Sequence, residues 1–160
     1  VDAGFAQASA KRSQTGIILM FNCAVVYSKS GKQSQLADST GYAETIALHE
    51  ASHLILIYRE LLANLGHPQL APTPVYEDNS AAQRFAEQGF GPRSLHYEIK
   101  YLFVHELQQQ GVLKVLRIPT ALQLADVCTK PCTWSVMSEL LPRIFGQPLR
   151  FSTTVAHHSH

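Results

Sequence analysis

A chain of 160 residues, 46% hydrophobic and 16% charged, can bury one sizeable core and leaves little room for a second domain. Its formal net charge of +1 excludes whole-molecule attraction as the source of nucleic-acid binding, so such a partner must be held by a local basic patch or a metal. Cys23, Cys128 and Cys132 are too few for a disulfide framework and favour a reducing compartment, and the apolar runs fall far below the roughly 18 residues of a membrane span.

Residues 1–6 alternate apolar side chains around Asp2 and read as a strand whose beginning has been cut away; the opening Val1-Asp2-Ala3 shows no targeting signal and looks like part of something longer. The β-rich runs 17–21 and 24–27, split by Asn22-Cys23, read as a hairpin, followed by a polar loop over 28–37. Ser39 or Thr40 caps a long helix that stops at Gly66 with Pro68 beyond. A short strand at 73–76 enters Glu77-Asp78-Asn79, with a helix expected over 80–88. A second substantial helix covers 96–110 and ends at Gly111. A strand over 112–118, a short helix over 121–128 and a last helix over 134–145 complete the order. The tail from residue 147 is polar and is expected to be disordered, with His157, His158 and His160 able to bind metal adventitiously. This order predicts an α/β layer structure with a mixed sheet, its antiparallel part supplied by the hairpin.

The long helix carries two competing chemical signals. His49-Glu50-Ala51-Ser52-His53 matches the H-E-x-x-H pattern, in which two imidazoles one turn apart hold zinc and the Glu serves as base. The metzincin extension is absent, because Leu56 and Arg59 stand where it needs Gly and His; Glu77 lies at a spacing where a third ligand could occur in other zincins. The second signal is Glu44. At about 100° per residue, Ala47, Leu48, Ala51, Ile55, Tyr58 and Leu62 lie within roughly 60° of it, whereas His49 and His53 fall roughly 140° and 180° away. A carboxylate in the middle of an apolar stripe is costly unless a cation or donors meet it. The plainer alternative is a partly exposed first-turn Glu favoured by the helix macrodipole.

Hard divalent cations such as Mg²⁺ take several oxygen ligands. Asp2 in the first strand, Asp78 at the carboxyl end of another, and Asp126 in the short helix are the candidate partners of Glu44. In order along the chain stand Val1-Asp2-Ala3-Gly4-Phe5-Ala6, Arg12-Ser13-Gln14-Thr15-Gly16, Ala43-Glu44-Thr45-Ile46-Ala47-Leu48, Val75-Tyr76-Glu77-Asp78-Asn79, His96-Tyr97-Glu98-Ile99, and Ile118-Pro119-Thr120 with Leu124-Ala125-Asp126-Val127-Cys128-Thr129-Lys130-Pro131. Together they resemble the ribonuclease H domain of copia-type retrotransposon polyproteins over most of the chain. Departures from the family's usual pattern are Gly4 and Phe5 in place of Asp and Trp, Tyr42 in place of Glu, and Leu95 in place of Lys.

The resemblance implies a ribonuclease H-like α/β fold over residues 1–146, with a five-stranded mixed sheet, flanking helices, and the first strand beside the one ending at Asp78. It further implies that Asp2, Glu44, Asp78 and Asp126 gather around two Mg²⁺ ions, replaceable by Mn²⁺, to hydrolyse the RNA strand of an RNA/DNA hybrid during reverse transcription. Arg12, Asn79, Arg93, Lys100 and Arg117 are the expected substrate-binding residues, with Lys29 and Lys32 as further phosphate contacts. The implied partners are the hybrid and the reverse transcriptase domain of the same polyprotein, with no membrane; the implied location is intracellular, in a cytoplasmic particle or the nucleus. Two other readings stand beside this one. One is a catalytically inactive ribonuclease H-like scaffold; the other is a zinc hydrolase using His49, Glu50 and His53.

Overall fold

The computed structural model describes residues 1–5, 12–79 and 98–146. Its strands are β1 (Asp2–Gly4), β2 (Gln14–Phe21), β3 (Ala24–Lys32), β4 (Thr73–Glu77) and β5 (Leu113–Arg117). Its helices are α1 (Thr40–Asn64), α2 (Glu98–Gln109), α3 (Asp126–Thr129) and α4 (Trp134–Ile144), with a single 3₁₀ turn at Thr120–Leu122. The helix expected over 80–88, Arg93 and the tail from residue 147 lie outside the described residues.

The expected hairpin forms. Asn22 and Cys23 both take positive φ, 48° and 63°, which turns the chain in two residues so that Phe21 pairs with Ala24. The loop expected from residue 28 begins later, because β3 continues to Lys32. Its side chains alternate exposed and half-buried, a pattern that polar residues satisfy as well as apolar ones, so composition alone concealed the strand. In α1, Ser39 caps the start by accepting from the Tyr42 N–H at 3.3 Å, and Gly66 takes φ +85° just past the end. The segment expected as one helix over 121–128 is instead the 3₁₀ turn, a link and α3.

The strands form two sheets rather than one five-stranded sheet: an antiparallel β1-β2-β3 and a parallel β4-β5. The reason lies in the backbone. The Thr73 N–H and Glu77 carbonyl bond towards β5, to Val112 and Ile118, so alternation turns Pro74 and Tyr76 towards β1. Pro74 has no N–H to give that edge. The Tyr76 carbonyl accepts from the Val1 nitrogen at 3.0 Å, the one hydrogen bond that links the edges among the described residues. Above it the sheets part around an apolar cavity of about 260 Å³ bordered by Ile17, Leu19, Pro74 and Ile55.

One core joins the layers, built from Ala3 and Ile17, Leu48 and Ile55 of α1, Val75 of β4, Val104 and Leu107 of α2, and Val115 of β5. Polar residues on the buried face of α1 are satisfied within the helix: Thr45 donates to the Gly41 carbonyl and Ser52 to that of Leu48, both at 2.8 Å. Helix α3 presses on β1 and β2 because two glycines leave room. A Cβ on Gly16 would stand 2.7 Å from the Ala125 carbonyl oxygen, and one on Gly4 2.9 Å from that of Thr129. No described helix is long and apolar enough to cross a membrane.

Candidate metal centre

Asp2 enters the site because β1 is buried along its whole length and pins its first residue against α1 and α3. Glu44 reaches it from the first turns of α1, and Asp78 from the residue that follows β4. One carboxylate oxygen from each of Asp2, Glu44 and Asp78 lies within 4.8 Å of the other two, and among the described residues no other group of three metal-binding side chains is this compact. They line an open cleft of about 530 Å³ together with Thr40, Asn79 and Lys130.

The electrostatics of this cluster are unfavourable for anions alone. Glu44 is 5% exposed and its Oε2 has no hydrogen-bond partner. Burial, followed by the charges of Glu77, Asp2 and Asp78, pushes its carboxyl up to about 10. Glu77 is fully buried; its Oε1 accepts from the Asn79 N–H at 3.0 Å, but its Oε2 is also unpartnered. Burial raises Glu77 to about 8, against the opposing bond from Asn79 and the Val1 amine. The buried Glu44 oxygen without a donor, beside the carboxyl groups of Asp2 and Asp78, is what a multivalent cation would satisfy.

Asp126, expected as the fourth ligand, stands outside the 4.8 Å cluster, half-buried at the start of α3. The Lys130 ammonium lies 2.8 Å from its Oδ1 and 3.7 Å from Asp2 Oδ1. Burial raises the Asp126 carboxyl; the Lys130 hydrogen bond opposes this and the charges of Asp2 and Asp78 add to it. The second oxygen of Asp2 accepts a hydrogen bond from the Thr129 hydroxyl. Helix α3 and the residue that follows it therefore contribute a carboxylate, a hydroxyl and an ammonium to one flank of the site.

Of the expected substrate-binding residues, Asn79 lines the cleft. Arg12 is exposed just before β2, Arg117 is exposed at the end of β5, Lys100 sits half-buried on α2 near His49, and Arg93 lies outside the described residues. Lys29 is paired with Glu50 at 2.7 Å. That pairing also engages the acid that a zinc hydrolase would need as its base. His49 and His53 lie on the outer side of α1 with their Nε2 atoms 3.3 Å apart, packed on Phe103, and no third ligand joins them among the described residues.

Glu77, Thr129 and Lys130 are the site residues that sequence reasoning did not assign. For Glu77 a signal was present: in β4, period-two alternation puts Val75 inward and therefore Glu77 as well. Asp126 and Lys130 stand four residues apart, a spacing that a single helical turn brings together, so their pairing was also within reach of the sequence.

No family model matches the chain, and no solved structure does. Curated relatives are found. It is 28% identical over 120 residues to the retrovirus-related Pol polyprotein from transposon TNT 1-94 of Nicotiana tabacum, a match covering 75% of this chain and 9% of that protein. The corresponding polyproteins from transposons RE1 and RE2 of Arabidopsis thaliana are 29% identical over 133 residues and 31% over 120. These cover 82% and 74% of the chain, and 9% and 8% of the relatives. The chain thus spans less than a tenth of the length of the curated relatives it matches, and its homologues are retrovirus-related Pol polyproteins of plant transposons.

Proposed function

We propose that this chain is a metal-dependent endonuclease of the ribonuclease H type, acting on the RNA strand of RNA/DNA hybrids within a retrotransposon Pol polyprotein. The observation that carries the reading is the convergence of Asp2, Glu44 and Asp78 at the mouth of a cleft, with the buried Glu44 Oε2 unpartnered. The two sheets are read as the halves of one five-stranded ribonuclease H-like sheet, a reading supported by the Val1–Tyr76 bond that brings β1 beside β4. The similarity to Pol polyproteins favours a neighbouring reverse transcriptase domain as partner and an intracellular setting.

Asp2, Glu44 and Asp78 would hold the metal, with Asp126 completing the site from α3. Mg²⁺ or Mn²⁺ held there would supply the activation of water and the neutralisation of charge on the leaving 3′ oxygen that hydrolysis of the strand requires. Asp2 is pre-oriented by the Thr129 hydroxyl, which occupies one carboxylate oxygen and leaves the other turned to the cleft. Glu44, at the cleft wall, is placed to accept from a ribose 2′-hydroxyl, the group that separates RNA from DNA. Asn79 lines the same cleft and offers an amide to phosphate or sugar.

The test is cleavage of an end-labelled RNA/DNA hybrid in Mg²⁺ or Mn²⁺ by the wild-type chain, Asp78→Asn and His53→Ala. Wild type and His53→Ala should cut and Asp78→Asn should not. Cleavage that survives Asp78→Asn overturns the metal assignment; a folded wild-type protein that never cuts supports the scaffold reading instead.

A further inference from the structure

The position of Lys130 bears on how the candidate metal centre fills. Its Nζ is 2.8 Å from Asp126 Oδ1 and 3.7 Å from Asp2 Oδ1, and its side chain lines the same cleft as Asp2, Glu44 and Asp78. Asp2 is almost fully buried and its other oxygen is taken by Thr129, so Oδ1 is the atom it has left for a cation. A divalent ion joining Asp2 to Asp126 would need the two oxygens that Lys130 now faces. The ammonium stands in for that ion with a single charge in place of two.

We propose that Lys130 is a tethered competitor for the Asp2–Asp126 side of the site. It neutralises that pair and must be displaced when a second divalent cation enters. The cluster of Asp2, Glu44 and Asp78 is the first position; it shares Asp2 with the second but does not draw on Asp126, where Lys130 is bonded. Anchoring favours this exchange. The Lys130 backbone N–H is held by the Asp126 carbonyl at 3.0 Å, whereas its side chain is 40% exposed and bonded at its tip alone among the contacts described. Swinging the ammonium outward therefore breaks two ion pairs and leaves α3 in place. Once displaced, it stays on the cleft wall as a positive charge within reach of an anionic ligand. The proposal rests on the metal-binding reading of the same acids.

The experiment is a Mn²⁺ titration of the metal-free protein, followed by electron paramagnetic resonance of free Mn²⁺. It compares wild type, Lys130→Gln, Lys130→Arg, Asp126→Asn and Glu44→Gln, with thermal melts to confirm folding. Two classes of site are expected in the wild type. Lys130→Gln should tighten the weaker class roughly tenfold, the effect of removing a partly exposed competing charge, and the tighter class by clearly less. Lys130→Arg should behave as wild type, and Asp126→Asn should lose the weaker class. If the wild type binds no Mn²⁺, the metal reading itself fails and takes this proposal with it. If the tighter site is present and lost in Glu44→Gln, but Lys130→Gln leaves the weaker class unaltered, the competition is refuted and the metal reading stands.

Discussion

Replacing Glu44 with Gln tests the site without any substrate. In the metal-free protein Glu44 is 5% exposed, faces Glu77, Asp2 and Asp78, and has its carboxyl pushed from 4.5 up to about 10. Between those values the folded protein keeps a proton that the unfolded chain has released. A raised acid contributes its full stability below the unfolded value and loses it as pH rises towards the folded one, at about 1.4 kcal/mol per pH unit for one proton. Going from pH 6 to pH 8 then lowers stability by about 3 kcal/mol through Glu44 alone, or about 6–12 °C in Tm for a chain of this size. Glu77, raised to about 8, steepens the fall over the same interval. Glu44→Gln cannot ionise, so in EDTA its Tm should fall between pH 6 and pH 8 by that much less than the wild type's. Saturating Mn²⁺ should restore the wild type at pH 8, because the cation binds the ionised cluster, and should do little for the variant. Parallel pH profiles for the two proteins in EDTA would refute the burial argument. Parallel Mn²⁺ responses would refute the role of Glu44 as a ligand.

Three further substitutions test the supports of the site. Gly16→Ala places a Cβ 2.6 Å from Thr129 Cγ2 and 2.7 Å from the Ala125 carbonyl oxygen, so α3 must move; chemical denaturation should show a loss of roughly 1–3 kcal/mol, and Mn²⁺ affinity should fall because Thr129 orients Asp2. Arg59 donates to the carbonyls of Ala71 and Gln69 and to the Thr73 hydroxyl, tying the chain after α1 to the start of β4; Arg59→Ala should cost roughly 1–3 kcal/mol in urea unfolding and speed amide exchange at Thr73. Ser39→Ala removes the α1 cap one turn before Glu44, with an expected loss of about 1 kcal/mol by thermal melt.

The long helix and the hairpin were legible because their signals are local. Ser39 before an apolar stripe, Gly66 after it, and Asn22-Cys23 between β-rich runs each act within a few residues, and each element formed where expected. The single five-stranded sheet was not legible in the same way. Whether β1 and β4 share a ladder depends on which edge of β4 faces β1. The parallel register with β5 decides that edge by turning the Tyr76 carbonyl towards Val1 and placing Pro74 where a donor is missing. The proline was visible from the start, but its consequence waited on the register.

The inward turn of Glu44 followed from the helix wheel, since a residue centred on an apolar stripe faces the core whatever its charge. The same logic at period two applies to β4, where Val75 and Glu77 share the inner face and Asp78 begins the turn. Glu77 is fully enclosed and exerts the largest charge effect on Glu44. Asp78 and Glu77 therefore divide the work by depth. Asp78, half-buried at the cleft, is open to an incoming ion, while Glu77 behind it raises the cost of leaving the cluster without one. A divalent cation held by this cluster would replace the proton that burial and the neighbouring charges keep on Glu44 at neutral pH. A Glu77→Gln variant should accordingly be more stable than the wild type in EDTA at pH 8 and bind Mn²⁺ more weakly. A variant that binds Mn²⁺ as tightly as the wild type would show that Glu77 only fills the core.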